Sequence, residues 1–199
     1  MDPRIRKAKL VSGTHVSLRD VEVGDANFIL SLRLDPKKSR YLSVTSDDLQ
    51  DQISWLREYE QSGNQAYLVA QDMKGERLGC VRIYDPVGLS YSWGSWLMVD
   101  GLSPLISLET AVLVYAYARH LGFETARFAV RRANTYVWRF HERIFGARRV
   151  QETEDEYLYE LGDAQILASL RKYRQLVPQP LSVQLVDETV AGITPGPGQ

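Results

Sequence analysis

The chain has 199 residues, 44% of them hydrophobic and 25% charged, with a formal net charge of −1. That size and apolar content suit one soluble domain with a sizeable core plus a tail, and the balanced charge gives no overall pull toward nucleic acid or an anionic membrane. No run of about 18 apolar residues could span a bilayer, and the three histidines and single cysteine, Cys80, offer neither metal-ligand spacing nor an internal disulfide.

Residues 1–13, beginning MDPRIRKAKL, read as a basic lead-in without the apolar stretch of a signal peptide, so a cytoplasmic protein is expected. Alternating apolar and polar side chains from Thr14 to Val21 predict a strand. Gly24 and Asp25 open a helix through Phe28, Ile29 and Leu32; Asp35-Pro36 ends it, because proline keeps the preceding residue out of helical geometry. A second helix is predicted from Thr45-Ser46 to Gly63, with Asp47 and Asp48 complementing the dipole of its first turn. Ala66–Met73 and Leu78–Tyr84 form a hairpin about Lys74-Gly75, and Ser90–Val99 is the fourth strand. The apolar run Ser107–Leu121 predicts a buried helix ended by Gly122. A fifth strand (Ala126–Val130), a helix (Asn134–Phe145, closed by Gly146) and two short strands near Arg148–Glu152 and Tyr157–Leu161 follow. Residues 162–199 read as a helix, Ala164–Tyr173, and a mostly flexible tail in which Leu181–Val186 is a strand able to pair with a partner.

This order of elements, with "LVYAYARHLG" (113–122) running into "FETARFAV", resembles the GNAT family of N-acetyltransferases. In "NTYVWRFHERIFGAR", Asn134, Val137, Phe140, His141, Gly146 and Ala147 match the family pattern N-x-x-A/V-x-x-L/F-Y/H-x-x-x-G-F/A, with one extra residue before the glycine. The resemblance covers residues 14–161 and implies an α+β domain: a central mixed, mostly antiparallel twisted sheet, splayed between its fourth and fifth strands and flanked by helices. It looks closest to the branch that acetylates protein N-termini, antibiotics and amino-sugar nucleotides. "SWGSWLM" followed by P-x-x-x-LE looks like transferases of bacterial surface-sugar pathways.

The implied donor is acetyl-coenzyme A, with no metal. Its pantetheine arm would pair with the main chain of Leu97, Met98 and Val99, a backbone N–H near Met98 facing the thioester oxygen, and Asn134 and Val137 would border it. Asn134 is also a natural helix cap. His141 stands where the family usually has tyrosine to protonate the departing sulfur, a task that suits a histidine whose pKa is raised. The family's glycine-rich pyrophosphate loop is replaced by Ser103–Glu109. Either the N–H groups of Leu105, Ile106 and Ser107 and the hydroxyls of Ser103 and Ser107 still hold phosphate, or arginines such as Arg131, Arg132, Arg139 and Arg143 supply the charge, or the protein is a non-catalytic binding module. Glu109 is a candidate base, or else a first-turn glutamate favouring the helix dipole.

Arg33, Tyr41, Trp55, Arg82, Trp93 and Trp96 are candidates for the acceptor groove, aromatic faces suiting sugar rings and arginines suiting phosphates. Trp93 and Trp96 have opposite parity on a strand, so both face the groove only if Gly94 marks a bulge. The acceptor is read as a small amine such as a nucleotide-linked amino sugar, with a protein amine as the alternative if the groove is open and acidic. Nucleic acid ranks last among partners, and the terminal strands offer an edge for a homodimer.

Overall fold

The computed structural model describes residues 2–187, and among these nine strands form one mixed sheet. In chain order the strands are β1 (Ala8–Ser12), β2 (Val16–Asp20), β3 (Ala66–Asp72), β4 (Arg77–Val87), β5 (Ser90–Met98), β6 (Thr125–Arg131), β7 (Arg148–Glu152), β8 (Glu156–Leu161) and β9 (Ser182–Leu185). Across the sheet they run β7-β8-β6-β5-β4-β3-β2-β1-β9. Every pairing is antiparallel except β5 with β6. The helices are α1 (Ala26–Leu34), α2 (Pro36–Ser39), α3 (Leu49–Gln61), α4 (Pro104–His120), α5 (Thr135–Phe140) and α6 (Asp163–Lys172).

Helices cover both faces of the sheet. One core gathers Ile29, Leu32, Leu56 and Tyr59 of α1 and α3 against Tyr67, Val69, Cys80 and Leu97. The larger core holds α4, whose residues Glu109–Ala118 are all buried because the helix lies between the sheet and α6. That position explains an apolar sequence with no polar face.

Two expectations about the ends of the chain need correcting. The basic lead-in contains β1, whose Ala8 and Val11 are fully buried while the lysine between them is exposed. The strand expected at Leu181–Val186 pairs with β1 of its own chain, Val11 opposite Val183, so β1 is not a free edge. The tail beyond residue 187 lies outside the described residues. Pro36 ends α1 and also opens α2: Asp35 leaves helical geometry (φ −57°, ψ 119°), and its side chain accepts from the Lys37 N–H at 2.8 Å.

Candidate active site

β5 and β6 are hydrogen-bonded at one end only, where Ser90, Tyr91 and Ser92 lie opposite Thr125, Ala126 and Arg127. Beyond Ser92 the two strands part. The cause is a bulge in β5: Arg82 of β4 faces Gly94 and Cys80 faces Leu97, so Ser95 and Trp96 together oppose a single β4 residue. Ser95 carries the turn in left-handed geometry, with φ of 50°. A bulge bends its strand and re-aims the side chains that follow, and here it brings Trp93 and Trp96 together with ring centroids 5.6 Å apart. The parity problem is thus resolved by a bulge, centred on Ser95 rather than on Gly94.

The bulge also leaves an unpaired backbone edge. Val99 N–H donates to the Leu78 carbonyl at 2.8 Å. The Leu97 carbonyl lies so close to Gly79 that any Cβ there would collide with it. Leu97 and Val99 therefore face β4. Successive peptide groups of a strand point to opposite edges, so Met98 presents its N–H and C=O to the gap between β5 and β6.

That gap is a cleft of about 860 Å³ bounded by both diverging strands, the start of α4, α5 and part of α2. Leu97, Met98, Val99, Leu105, Ser107, Asn134 and Val137, seven of the candidate donor-binding residues, line it. Asn134 caps α5, accepting from Val137 N–H at 3.4 Å. Three predicted donor contacts are not on its wall. Arg139 lies outside, 5.1 Å from the Trp138 ring centroid. Ser103 is spent on capping α4: its hydroxyl accepts from Leu105 N–H at 3.3 Å and its carbonyl from Ile106 N–H at 3.0 Å. Because Pro104 has no N–H, the first donors of α4 are absent or already used, and the expected phosphate cradle from Leu105 and Ile106 is closed.

Cations reach the cleft by another route that sequence reasoning missed. Lys37 and Lys38 of α2 line it beside Arg131. Lys38 is held by Asp35 and, at 2.9 Å, by Asp100, and Arg131 faces Glu156 at 3.4 Å. The Lys-Lys pair directly after Pro36 is a visible signal, but nothing local places it across from Asp100.

His141 lines the deep part of the cleft and is 2% exposed. Its ring sits 4.4 Å from Phe128, 5.3 Å from both Trp93 and Phe140, and 5.9 Å from Trp96, centroid to centroid. Its Nδ1 is buried with no hydrogen-bond partner among the described residues. Burial among aromatic rings, with no carboxylate to offset it, pushes the imidazole pKa down to about 3. The raised pKa expected of a proton donor is thus reversed, and His141 is neutral at physiological pH. It enters the cleft through a single π-helical turn, His141–Phe145, which absorbs the extra residue seen in the sequence pattern. The turn closes on Gly146, left-handed at φ of 70°, with Ala147 N–H on the His141 carbonyl at 3.2 Å. Glu142 turns elsewhere, accepting from Tyr159 Oη at 2.7 Å and Arg149 at 2.9 Å.

Glu109 is not part of the cleft. It lies in the second turn of α4, fully buried, and accepts from His15 N–H at 2.6 Å and Val16 N–H at 2.9 Å, with His15 Nδ1 2.8 Å away. It clips the β1–β2 turn onto α4, which replaces both its expected roles, base and first-turn dipole partner.

The acceptor candidates divide between two cavities. Tyr41, Trp93 and Trp96 line the main cleft, whereas Arg33, Arg82 and Trp55 line a neighbouring pocket of about 370 Å³. Ser95, the bulge residue, borders both. Among the described residues no group of three or more His, Cys, Asp or Glu side chains could hold a metal ion, and no helix is long and apolar enough to cross a membrane.

A mixed sheet that splays beside a strand bulge, with a cleft between the parted strands, is the fold of the GNAT acetyltransferases, and the chain belongs to the GNAT superfamily. Its structure superposes on that of apo FdhC, a nucleotide-linked sugar GNAT, with TM-score 0.75 and 28% identity over 87% of this chain and 98% of that one. A GCN5-related N-acetyltransferase from Brucella melitensis shares the fold at TM-score 0.71 and 17% identity, covering 87% of this chain and 88% of that one. A mutant of the spermidine N-acetyltransferase SpeG from Vibrio cholerae does so at 0.65 and 13%, over 77% and 96%. No protein-family model matches the sequence, and no curated protein matches it.

Proposed function

We propose that this protein transfers an acyl group, acetyl from acetyl-coenzyme A, to the amine of a small molecule, with a nucleotide-linked amino sugar as the acceptor class. The observation that carries this reading is the unpaired Met98 edge in the cleft beside the bulge. A pantetheine arm is an extended chain of amides and can pair with such an edge as a strand would. The donor supplies the activated carbonyl. In this reading Met98 N–H donates to the carbonyl oxygen, where negative charge develops.

His141, being neutral, acts as a hydrogen-bonding group that steadies the departing sulfur rather than as an imidazolium giving up its proton. As the amine nitrogen bonds to the acetyl carbon and the C–S bond breaks, the proton lost by the amine neutralises the departing thiolate, whose conjugate thiol has an ordinary pKa of about 8.5. Trp93 and Trp96 wall the reacting end against water. The amino-sugar reading draws on the similarity to FdhC and on the arginine-lined pocket at Ser95, which suits an anionic small molecule better than a protein N-terminus.

The test is thiol release from acetyl-coenzyme A with nucleotide-linked amino sugars, spermidine and a short peptide as acceptors. Turnover with the first class, slowed about 10²-fold in His141→Ala with coenzyme A affinity kept, is the expected result. Turnover unchanged in that variant removes His141 from the reaction. A second reading, a binding module without catalysis, is favoured by the closed cap of α4; it predicts acceptor binding with no thiol release.

A further inference from the structure

The pocket behind Ser95 carries an electrostatic imbalance that the acyl transfer itself does not explain. Arg33 extends from α1 and donates to two neutral oxygens, Thr45 Oγ1 at 2.7 Å and Ser43 Oγ at 3.3 Å. Arg82 extends from β4 and donates twice to Gln65 Oε1, its Nε at 3.0 Å. Its guanidinium lies over the rings of Trp55 and Tyr84, at 5.4 and 5.2 Å. Both arginines are partly buried, and neither has a carboxylate of the described residues within ion-pair distance, whereas the similarly half-buried Arg19, Arg119, Arg131 and Arg149 each have one. The wall contains one acidic residue, the exposed Asp51, against these two cations.

Half-buried guanidinium groups without a counter-ion are costly unless a ligand provides one. We infer that Arg33 and Arg82 form the anion-binding half of the acceptor site and that the anion is a phosphate or diphosphate group borne by the amine substrate. Phosphate fits better than carboxylate because of the donor count. With two N–H groups of each guanidinium engaged, each keeps others to donate, and the hydroxyls of Ser46 and Ser95 also border the pocket, more donors than the two oxygens of a carboxylate can take up. The position fits as well: Ser95 is shared with the main cleft, so a molecule anchored by its phosphate here reaches with its other end toward Trp96 and the Met98 edge. Ser95, the residue of the bulge that frees the donor edge, thus stands where the two cavities adjoin.

This inference rests on the proposed acyl transfer for its amine but not for its anion, and the experiment separates the two. Inorganic pyrophosphate is titrated calorimetrically into the protein in the presence of coenzyme A, which keeps it from the main cleft. The expected result is binding that weakens at least tenfold in Arg33→Gln and again in Arg82→Gln, while both variants stay folded and melt cooperatively. In turnover, the kcat/KM preference for a phosphorylated amino sugar over the same sugar without phosphate collapses at least tenfold in each variant. Pyrophosphate binding that is absent, or equal in wild type and double variant, overturns the inference. So does a preference for a carboxylate-bearing amine that is lost in the same variants while phosphate has no effect. If pyrophosphate binds through both arginines but no thiol is released with any amine, the anion site stands and the acyl-transfer reading falls.

Discussion

Replacing His141 by phenylalanine should make the protein resist acid better than the wild type. The imidazole has an ordinary pKa of 6.5 when the chain is unfolded and about 3 when folded. Its folded pKa is depressed, so the unfolded state takes up the proton first. The stability associated with the neutral ring is complete above pH 6.5 and is lost as pH falls toward 3. Between pH 7.5 and pH 5, the difference in proton uptake amounts to about 2 kcal/mol. This figure depends almost wholly on the unfolded pKa, because at pH 5 the folded imidazole stays neutral. It corresponds to about 4–8 °C of melting temperature for a chain of this size.

Asp20 acts in the opposite sense. Burial raises its folded pKa to about 6, so its contribution is present at low pH and lost as pH rises through 6. It is common to both proteins and cancels when they are compared. The assay is urea or thermal denaturation of wild type and His141→Phe at pH 7.5 and pH 5. Phenylalanine suits the surrounding rings and removes the unpartnered Nδ1. The wild type should lose about 2 kcal/mol more than the variant over that interval. Equal losses would mean that His141 is solvated or paired in solution, and the reasoning about its protonation would fall with them.

Other outcomes follow from the same geometry. Glu109→Ala strands the N–H groups of His15 and Val16, at about 1–3 kcal/mol each; urea denaturation should show the loss while folded protein keeps its turnover. Gly79→Ala pushes a methyl into the Leu97 carbonyl and Met98. It should cost about 1–3 kcal/mol and weaken acetyl-coenzyme A binding measured by calorimetry, because the Met98 edge moves with β5. The pH–rate profile should lack an inflection near 6.5 and rise with deprotonation of the acceptor amine; an inflection there that disappears in His141→Phe would restore the imidazolium as acid.

Much of the fold is written in local patterns. Glycine and proline punctuate the chain, alternation marks β2, the Lys74-Gly75 turn marks the hairpin of β3 and β4, and an all-apolar run marks α4. β1 is missed because in "AKLVS" only two of five residues are fully buried and the flanks are basic. The extra residue before Gly146 is visible in the sequence, but that it winds a π-helical turn needs the surrounding contacts. The bulge hides because it falls on Ser95, a residue with no intrinsic preference for left-handed geometry. The roles that failed to transfer are those set by distant partners. Glu109 meets His15 and Val16, more than ninety residues earlier, and the pKa of His141 is governed by Trp93, Trp96 and Phe128, which arrive from other strands. A family pattern locates His141 in the cleft; only its neighbours give the direction of its protonation.

The central claim is that the cleft at the Met98 edge holds an acyl thioester even though Ser103 has closed the first turn of α4. Heating the protein with and without acetyl-coenzyme A tests it most directly. At a ligand concentration one hundred times Kd, binding to the folded state adds about 2.7 kcal/mol, a rise of about 5–10 °C in melting temperature. A rise of that order that shrinks in Gly79→Ala is the predicted result. No shift at millimolar acetyl-coenzyme A would contradict the account.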